Sequence, residues 1–101
     1  MSAYVLSPEA DADLFSIWSY LAKQVSVATA DRIDQELYAT FESLGQTPGQ
    51  GRCRSDLTRE AVLFFAVYQF LIFYRVSNPL QIVAVLHGRR NVARILKQRS
   101  I

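Results

Sequence analysis

The residues best equipped for chemistry gather at the end of this 101-residue chain, in Leu86-His87-Gly88-Arg89-Arg90-Asn91 and the following Val92-Ala93-Arg94-Ile95-Leu96-Lys97-Gln98-Arg99. The stretch holds the chain's only histidine and five cations with no acid between them. A histidine can give and take a proton near neutral pH, and guanidinium groups stabilise the charge of a pentavalent phosphate. His87 as the acid–base, with Arg89, Arg90 and Arg94 as cations, would suffice on paper to cut RNA. The same cations could instead hold carboxylates or phosphates of a partner without breaking any bond. A histidine followed by a tight Gly88 turn more often secures the end of a strand. The expectation is therefore a contact surface, with His87, Arg89 and Arg90 as the catalytic alternative.

Other chemistries have less support. A glycine-rich phosphate loop is not formed, because Gly49-Gln50-Gly51 lacks the rest of the motif and its lysine. One histidine and one distant cysteine do not give metal-ligand spacing, so neither metal nor cofactor is expected. The single Cys53 cannot support a disulfide framework and fits a reducing compartment. Met1-Ser2-Ala3-Tyr4-Val5-Leu6 has neither the basic region nor the apolar core of a signal peptide. The most apolar stretch, Ala61 to Tyr74, is interrupted by Gln69 and too short to cross a bilayer as a helix. A cytoplasmic protein without membrane contact is expected.

Charge divides the chain. Residues 1–50 carry two cations against seven acids, and residues 51–101 carry nine cations against two. An anionic partner for the second half is one reading, and a solvated face is the other.

The elements that must position the basic segment can be followed from the start. Half of the residues are hydrophobic, and the length suits one domain spanning 1–101. Ala3 to Leu6 reads as a strand, and Ser7-Pro8-Glu9 opens a helix with a serine cap and a proline at its first position. Leu14, Ile17, Trp18 and Leu21 follow at helical spacing. Ser26 caps a second helix with Ala30, Ile33, Leu37, Phe41 and Leu44 on one stripe, which Gly45 is expected to end. Gln46 to Asp56 reads as a loop. After Arg59-Glu60 come β-branched and aromatic runs, Val62 to Val67 and Phe70 to Tyr74, and then Leu80 to Leu86 beyond a Ser77-Asn78-Pro79 turn. Val92 to Gln98 could form a short basic helix.

The order predicts an α+β fold, β-α-α-β-β-β, with a helical hairpin packed on one face of a mainly antiparallel sheet. The strands are apolar on both faces, whereas a sheet wet on one side should alternate. Either the C-terminal segment or another chain must cover the second face.

In this order, four fragments together resemble the RelE/ParE superfamily of small bacterial toxins, and specifically its ParE branch. They are Ser7-Pro8-Glu9-Ala10 with Asp13-Leu14 and Ile17, Pro48-Gly49-Gln50-Gly51-Arg52 with Asp56-Leu57, Phe70-Leu71-Ile72-Phe73-Tyr74-Arg75-Val76, and Val85-Leu86-His87-Gly88-Arg89-Arg90-Asn91. The resemblance implies the toxin of a type II toxin–antitoxin pair that inhibits DNA gyrase and is neutralised by a ParD-like antitoxin in a hetero-oligomer. It makes Arg89, Arg90, Arg94, Lys97, Arg99 and Arg75 candidate contacts to target or antitoxin. The apolar sheet residues Phe64, Phe70, Leu71 and Phe73 become candidates for antitoxin docking. The alternatives are a RelE-type ribosome-dependent messenger RNA nuclease, or an inactive copy that only binds its antitoxin. The nuclease branch carries a tyrosine near the C-terminus and a basic sheet cluster. Here no tyrosine lies beyond Tyr74, and Leu63 stands where many relatives have arginine. The chain also has Asn91 where the closing motif often ends in aspartate, and Val67-Tyr68-Gln69 at a turn that usually includes glycine.

Overall fold

The computed structural model describes residues 3–53 and 61–101. Met1-Ser2, the Asp56-Leu57 end of the expected loop and the Arg59-Glu60 boundary lie outside the described residues.

Strand β1 (Tyr4–Leu6) leads directly into helix α1 (Pro8–Gln24). Ser7 caps that helix, its hydroxyl accepting the Ala10 amide at 3.0 Å, while Pro8 occupies a position that needs no amide hydrogen. Helix α2 (Val27–Gln46) starts in the same way, with the Ser26 hydroxyl accepting from the Thr29 amide. Its buried stripe of Ala30, Ile33, Leu37, Phe41 and Leu44 faces one core with Ala10, Leu14 and Leu21 of α1. Trp18 ties the two helices together, its indole N–H donating to Asp31 Oδ1 at 2.8 Å.

Gly45 does not end α2, which runs on to Gln46 and stops ahead of Pro48. A Cβ at Gly45 would lie 2.5 Å from Ala3 Cβ and 2.6 Å from Ala3 O. The glycine is there because the chain entering β1 passes against the last turn of α2.

Beyond a single 3-10 turn, Pro48–Gln50, come β2 (Arg52–Cys53), β3 (Leu63–Val67), β4 (Phe70–Arg75) and β5 (Leu80–His87). The sheet order is β1-β5-β4-β3-β2, with β1 parallel to β5 and every other pair antiparallel. The α+β architecture is the expected one, with β2 added inside the stretch expected to be loop. The β3–β4 hairpin turns through Tyr68-Gln69, and Tyr68 takes a φ of 53°, a shape that glycine adopts at less cost.

Side chains on β4 alternate between two cores. Phe70, Ile72 and Tyr74 pack beneath the helical hairpin, whereas Leu71 and Phe73 point to the opposite side. That second side is covered by α3 (Val92–Gln98), whose Val92 and Leu96 are buried with Val62, Phe73, Ala84 and Leu86. Each valine, leucine and phenylalanine side chain among these contributes about 1.5–3 kcal/mol on burial. A seven-residue helix does not persist alone, so α3 owes its order to this docking.

Phe64, Phe70, Leu71 and Phe73 therefore do not form one docking face. Phe70 is buried under the hairpin and Phe73 under α3, while Phe64 and Leu71 are half-buried beside α3. The two-residue period of a strand sends Phe70 and Phe73 to opposite sides.

Candidate functional site

His87 ends β5, half-buried, with its ring edge-on to Phe70 at 5.6 Å between centroids. Its Nδ1 accepts the Arg89 amide at 3.0 Å, which places the ring's own proton on Nε2. The same turn is closed by Arg90 N–H donating to the His87 carbonyl at 3.0 Å and by Gly88 N–H donating to the Gln69 carbonyl at 2.8 Å. The imidazole thus shapes the turn that presents Arg89 and Arg90. Leu63 packs partly buried against the hairpin core, so no cation stands at that strand position.

Arg89 and Arg90 are exposed in the turn, and Asn91 then caps α3 by accepting the Arg94 amide at Oδ1, 3.2 Å away. Asparagine caps a helix about as well as aspartate, so the altered last residue of the motif keeps its structural role. Arg94 and Lys97, also exposed, stand three residues apart on α3 and so share a face. Among the described residues, none of Arg89, Arg90, Arg94 and Lys97 forms an ion pair. Arg89, Arg90 and Arg94 crowd the positive end of the α3 dipole, where a cation costs about 0.3–1 kcal/mol rather than helping. Helix stability does not explain their placement.

Two predicted contacts do not join this group. Arg99 folds back to Asp13, with Nη1 on Oδ2 and Nη2 on Oδ1, both at 2.7 Å. That pairing holds its pKa above the ordinary value, and it removes Arg99 from the cations open to a partner. Arg75 lies half-buried at the opposite end of β4 from Phe70, the residue that pairs with His87. Five strand steps separate the two positions, about 17 Å.

Asp13, quoted in the sequence only as part of the opening-helix fragment, was not recognised there as the partner of Arg99. It is the only charged residue among the described ones to be buried, at 7% exposure. Besides Arg99 it accepts the Val85 amide at 3.0 Å. Its signal was an acid on the same side of α1 as Ala10 and Leu14, a place where a charge needs a partner.

The opposite side of the molecule holds an open groove of about 490 Å³ between α1 and α2, lined in part by Asp11, Phe15, Trp18, Asp34 and Tyr38. Phe15 is 72% exposed there. Burial and the neighbouring Asp31 charge push the Asp34 carboxyl above its usual range, and burial followed by the Asp34 and Asp11 charges raises the Tyr38 hydroxyl. Among the described residues no group of three histidine, cysteine or acidic side chains converges as metal ligands, and no helix is long and apolar enough to cross a membrane.

A helical hairpin on one side of a mixed five-stranded sheet and a short capped basic helix on the other define an α+β protein of ParE architecture. The solved chain titled "Chromosomal ParDE TA system from P. aeruginosa" has this fold, with a TM-score of 0.72 and 21% identity over 86% of this chain and 96% of that one. The family model for the ParE toxin of the type II toxin–antitoxin system parDE matches residues 4–92. Toxin ParE1 of Caulobacter vibrioides is 36% identical over 91 residues, covering 90% of this chain and 94% of the relative. Toxin ParE1 of Mycobacterium tuberculosis is 31% identical over 97 residues, covering 94% and 98%. The chain belongs to the ParE toxin family.

Proposed function

We propose that this ParE-type toxin arrests growth by binding DNA gyrase in the cytoplasm, without catalysing a reaction itself, and that a cognate ParD-like antitoxin neutralises it. The observation that carries a binding role is the set Arg89, Arg90, Arg94 and Lys97, exposed, unpaired among the described residues and badly placed for their own helix. The choice of gyrase comes from the ParE resemblance, and the cations supply donors for acidic groups on such a target. A nuclease role has less support, because His87 Nδ1 is committed to the Arg89 amide and Leu63 to the core.

With α3 over the sheet, the α1–α2 groove is an apolar surface that stays open among the described residues. Exposed Phe15 beside Trp18 and Tyr38, with Asp11 and Asp34 at hand, supports an amphipathic antitoxin segment carrying basic residues as its occupant.

Induced expression without an antitoxin tests the reading. The expected outcome is growth arrest with a DNA-damage response, relieved when the antitoxin is co-expressed. Intact DNA with messages cut on the ribosome would establish the nuclease instead, and undisturbed growth would mark an inactive copy.

A further inference from the structure

We propose that Asp13 and Arg99 form a latch that fixes α3 on the sheet and thereby sets where Arg94 and Lys97 stand relative to Arg89 and Arg90. They act as positioning residues and touch no partner. The functional half of this proposal rests on the cationic surface being the effector of the preceding section.

Among the described residues the other restraints on α3 are a short link to β5 and a small apolar contact, to which Ile95 and Ile101 add partly buried side chains. Gly88–Asn91 joins it to β5, only Val92 and Leu96 of the helix are fully buried, and its seven residues cannot hold a helix by themselves. Arg99 follows immediately as the C-cap, its amide donating to the carbonyls of Ile95 and Leu96. From there its guanidinium passes the edge of β5 to reach α1, which packs on the other side of the sheet. The crossing is possible because β1 pairs with β5 only from Leu80 to Ile82, so the later part of that edge has no neighbouring strand. Ser7 and Asp13 serve this open edge: Ser7 donates to the carbonyls of Ile82 and Val83, and Asp13 accepts the Val85 amide. One carboxylate thus joins α1, β5 and α3.

The geometry demands these residue types. Asp13 uses both oxygens for the guanidinium and still receives the Val85 amide on Oδ2. A lysine offers a single point of charge and cannot span both oxygens. Without Arg99 the buried carboxylate would keep one amide donor and no cation, a costly state that works against the closed arrangement.

The test compares the full wild-type chain with Arg99→Gln, Arg99→Lys and Asp13→Asn, made by cell-free synthesis and followed by amide hydrogen exchange. In Arg99→Gln the Ile95 and Ile101 amides, which donate to Asn91 and Leu96 in the closed form, should exchange about 10- to 100-fold faster. That range is the usual worth of hydrogen bonds to charged groups expressed as a ratio. Arg99→Lys should fall between, and Asp13→Asn, which keeps an acceptor for Val85, should loosen the same amides as Arg99→Gln. Amides of Ile72 and Val85 should keep their wild-type rates in Arg99→Gln. Wild-type exchange at Ile95 and Ile101 would overturn the latch, and so would equal loosening of the strands, which would make the pair a brace for the whole fold. In cells, Arg99→Gln should lose growth arrest and Arg99→Lys should keep part of it. If Arg99→Gln frees α3 yet stays fully toxic, the positioning role fails. If the triple variant Arg89→Glu, Arg90→Glu, Arg94→Glu stays toxic, the effector reading fails, while the latch is still judged by exchange.

Discussion

Tyr74 sits one residue before the end of β4 with no exposed surface, and its hydroxyl reaches out of the core to hold the segment that follows α2. The O–H donates to the Pro48 carbonyl at 2.6 Å and accepts the Gly51 amide at 2.9 Å, while burial raises its pKa. Gly51 must lack a side chain, because a Cβ would come within 2.8 Å of the Tyr74 ring. Replacing Tyr74 with phenylalanine leaves both backbone groups without this partner. The expected loss is about 1–3 kcal/mol, read as a fall in melting temperature of about 4–8 °C per kcal/mol in a domain of this size. An unchanged melting temperature would show that the 3-10 turn stands without this tie. At this scale the sequence was informative where a role depends on near neighbours: the turn-forming part of His87 follows from the glycine after it. Arg99 was read as a free cation because its partner lies 86 residues earlier. Spacing along a chain does not encode such a meeting.

Helices α1 and α2 were legible because each opens on a serine cap and carries an apolar stripe at steps of three and four, with Pro8 as a further start signal in α1. Gly45 misled for a definite reason. A glycine near the end of a helical pattern is ordinarily a stop, and only the path of β1 shows that this one makes room for a crossing chain. Gly45→Ala separates the two readings. Alanine favours a helix by about 1 kcal/mol. Its methyl would nevertheless crowd Ala3, whose carbonyl also accepts the Leu80 amide at 3.1 Å and so resists moving away. The expected outcome is a net destabilisation of about 1–3 kcal/mol in chemical denaturation, and a stabilised variant would refute the close approach. The strands were recognised as strands and the hairpin was placed on one side of them, but whether the C-terminal segment or another chain covers the second side was not legible. Every residue from Phe70 to Tyr74 is apolar, so the pattern has no polar side to mark solvent, and α3 settled the question. Strand β2 was missed because two residues are too few to form a pattern.

Across the molecule, the acids of the helical hairpin and two exposed cations of α3 lie on opposite sides of the sheet. All seven acids of the first fifty residues lie on α1 and α2, and Arg94 and Lys97 lie on α3 on the other side. Burial of Asp34 in the helical layer, with the Asp31 charge beside it, has a thermodynamic consequence. Asp34 has a folded pKa above its unfolded one, so the folded chain holds that proton more firmly, and the contribution to stability is lost as pH rises through the folded value. Asp34→Asn is therefore expected to raise the melting temperature at neutral pH and to leave it unchanged well below the ordinary carboxyl value of 3.8. A lower melting temperature at neutral pH would reveal a favourable contact for the carboxylate. The pairing of the first strand with the last also bears on how the molecule comes into being during synthesis. β1 waits for Leu80 to Ile82 before it has a neighbour, and Asp13 waits for residue 99 before its charge is answered. On the proposed reading the effector surface is assembled only once Arg99 has been made, and synthesis of the residues before it is an interval in which an antagonist can meet the unfinished chain.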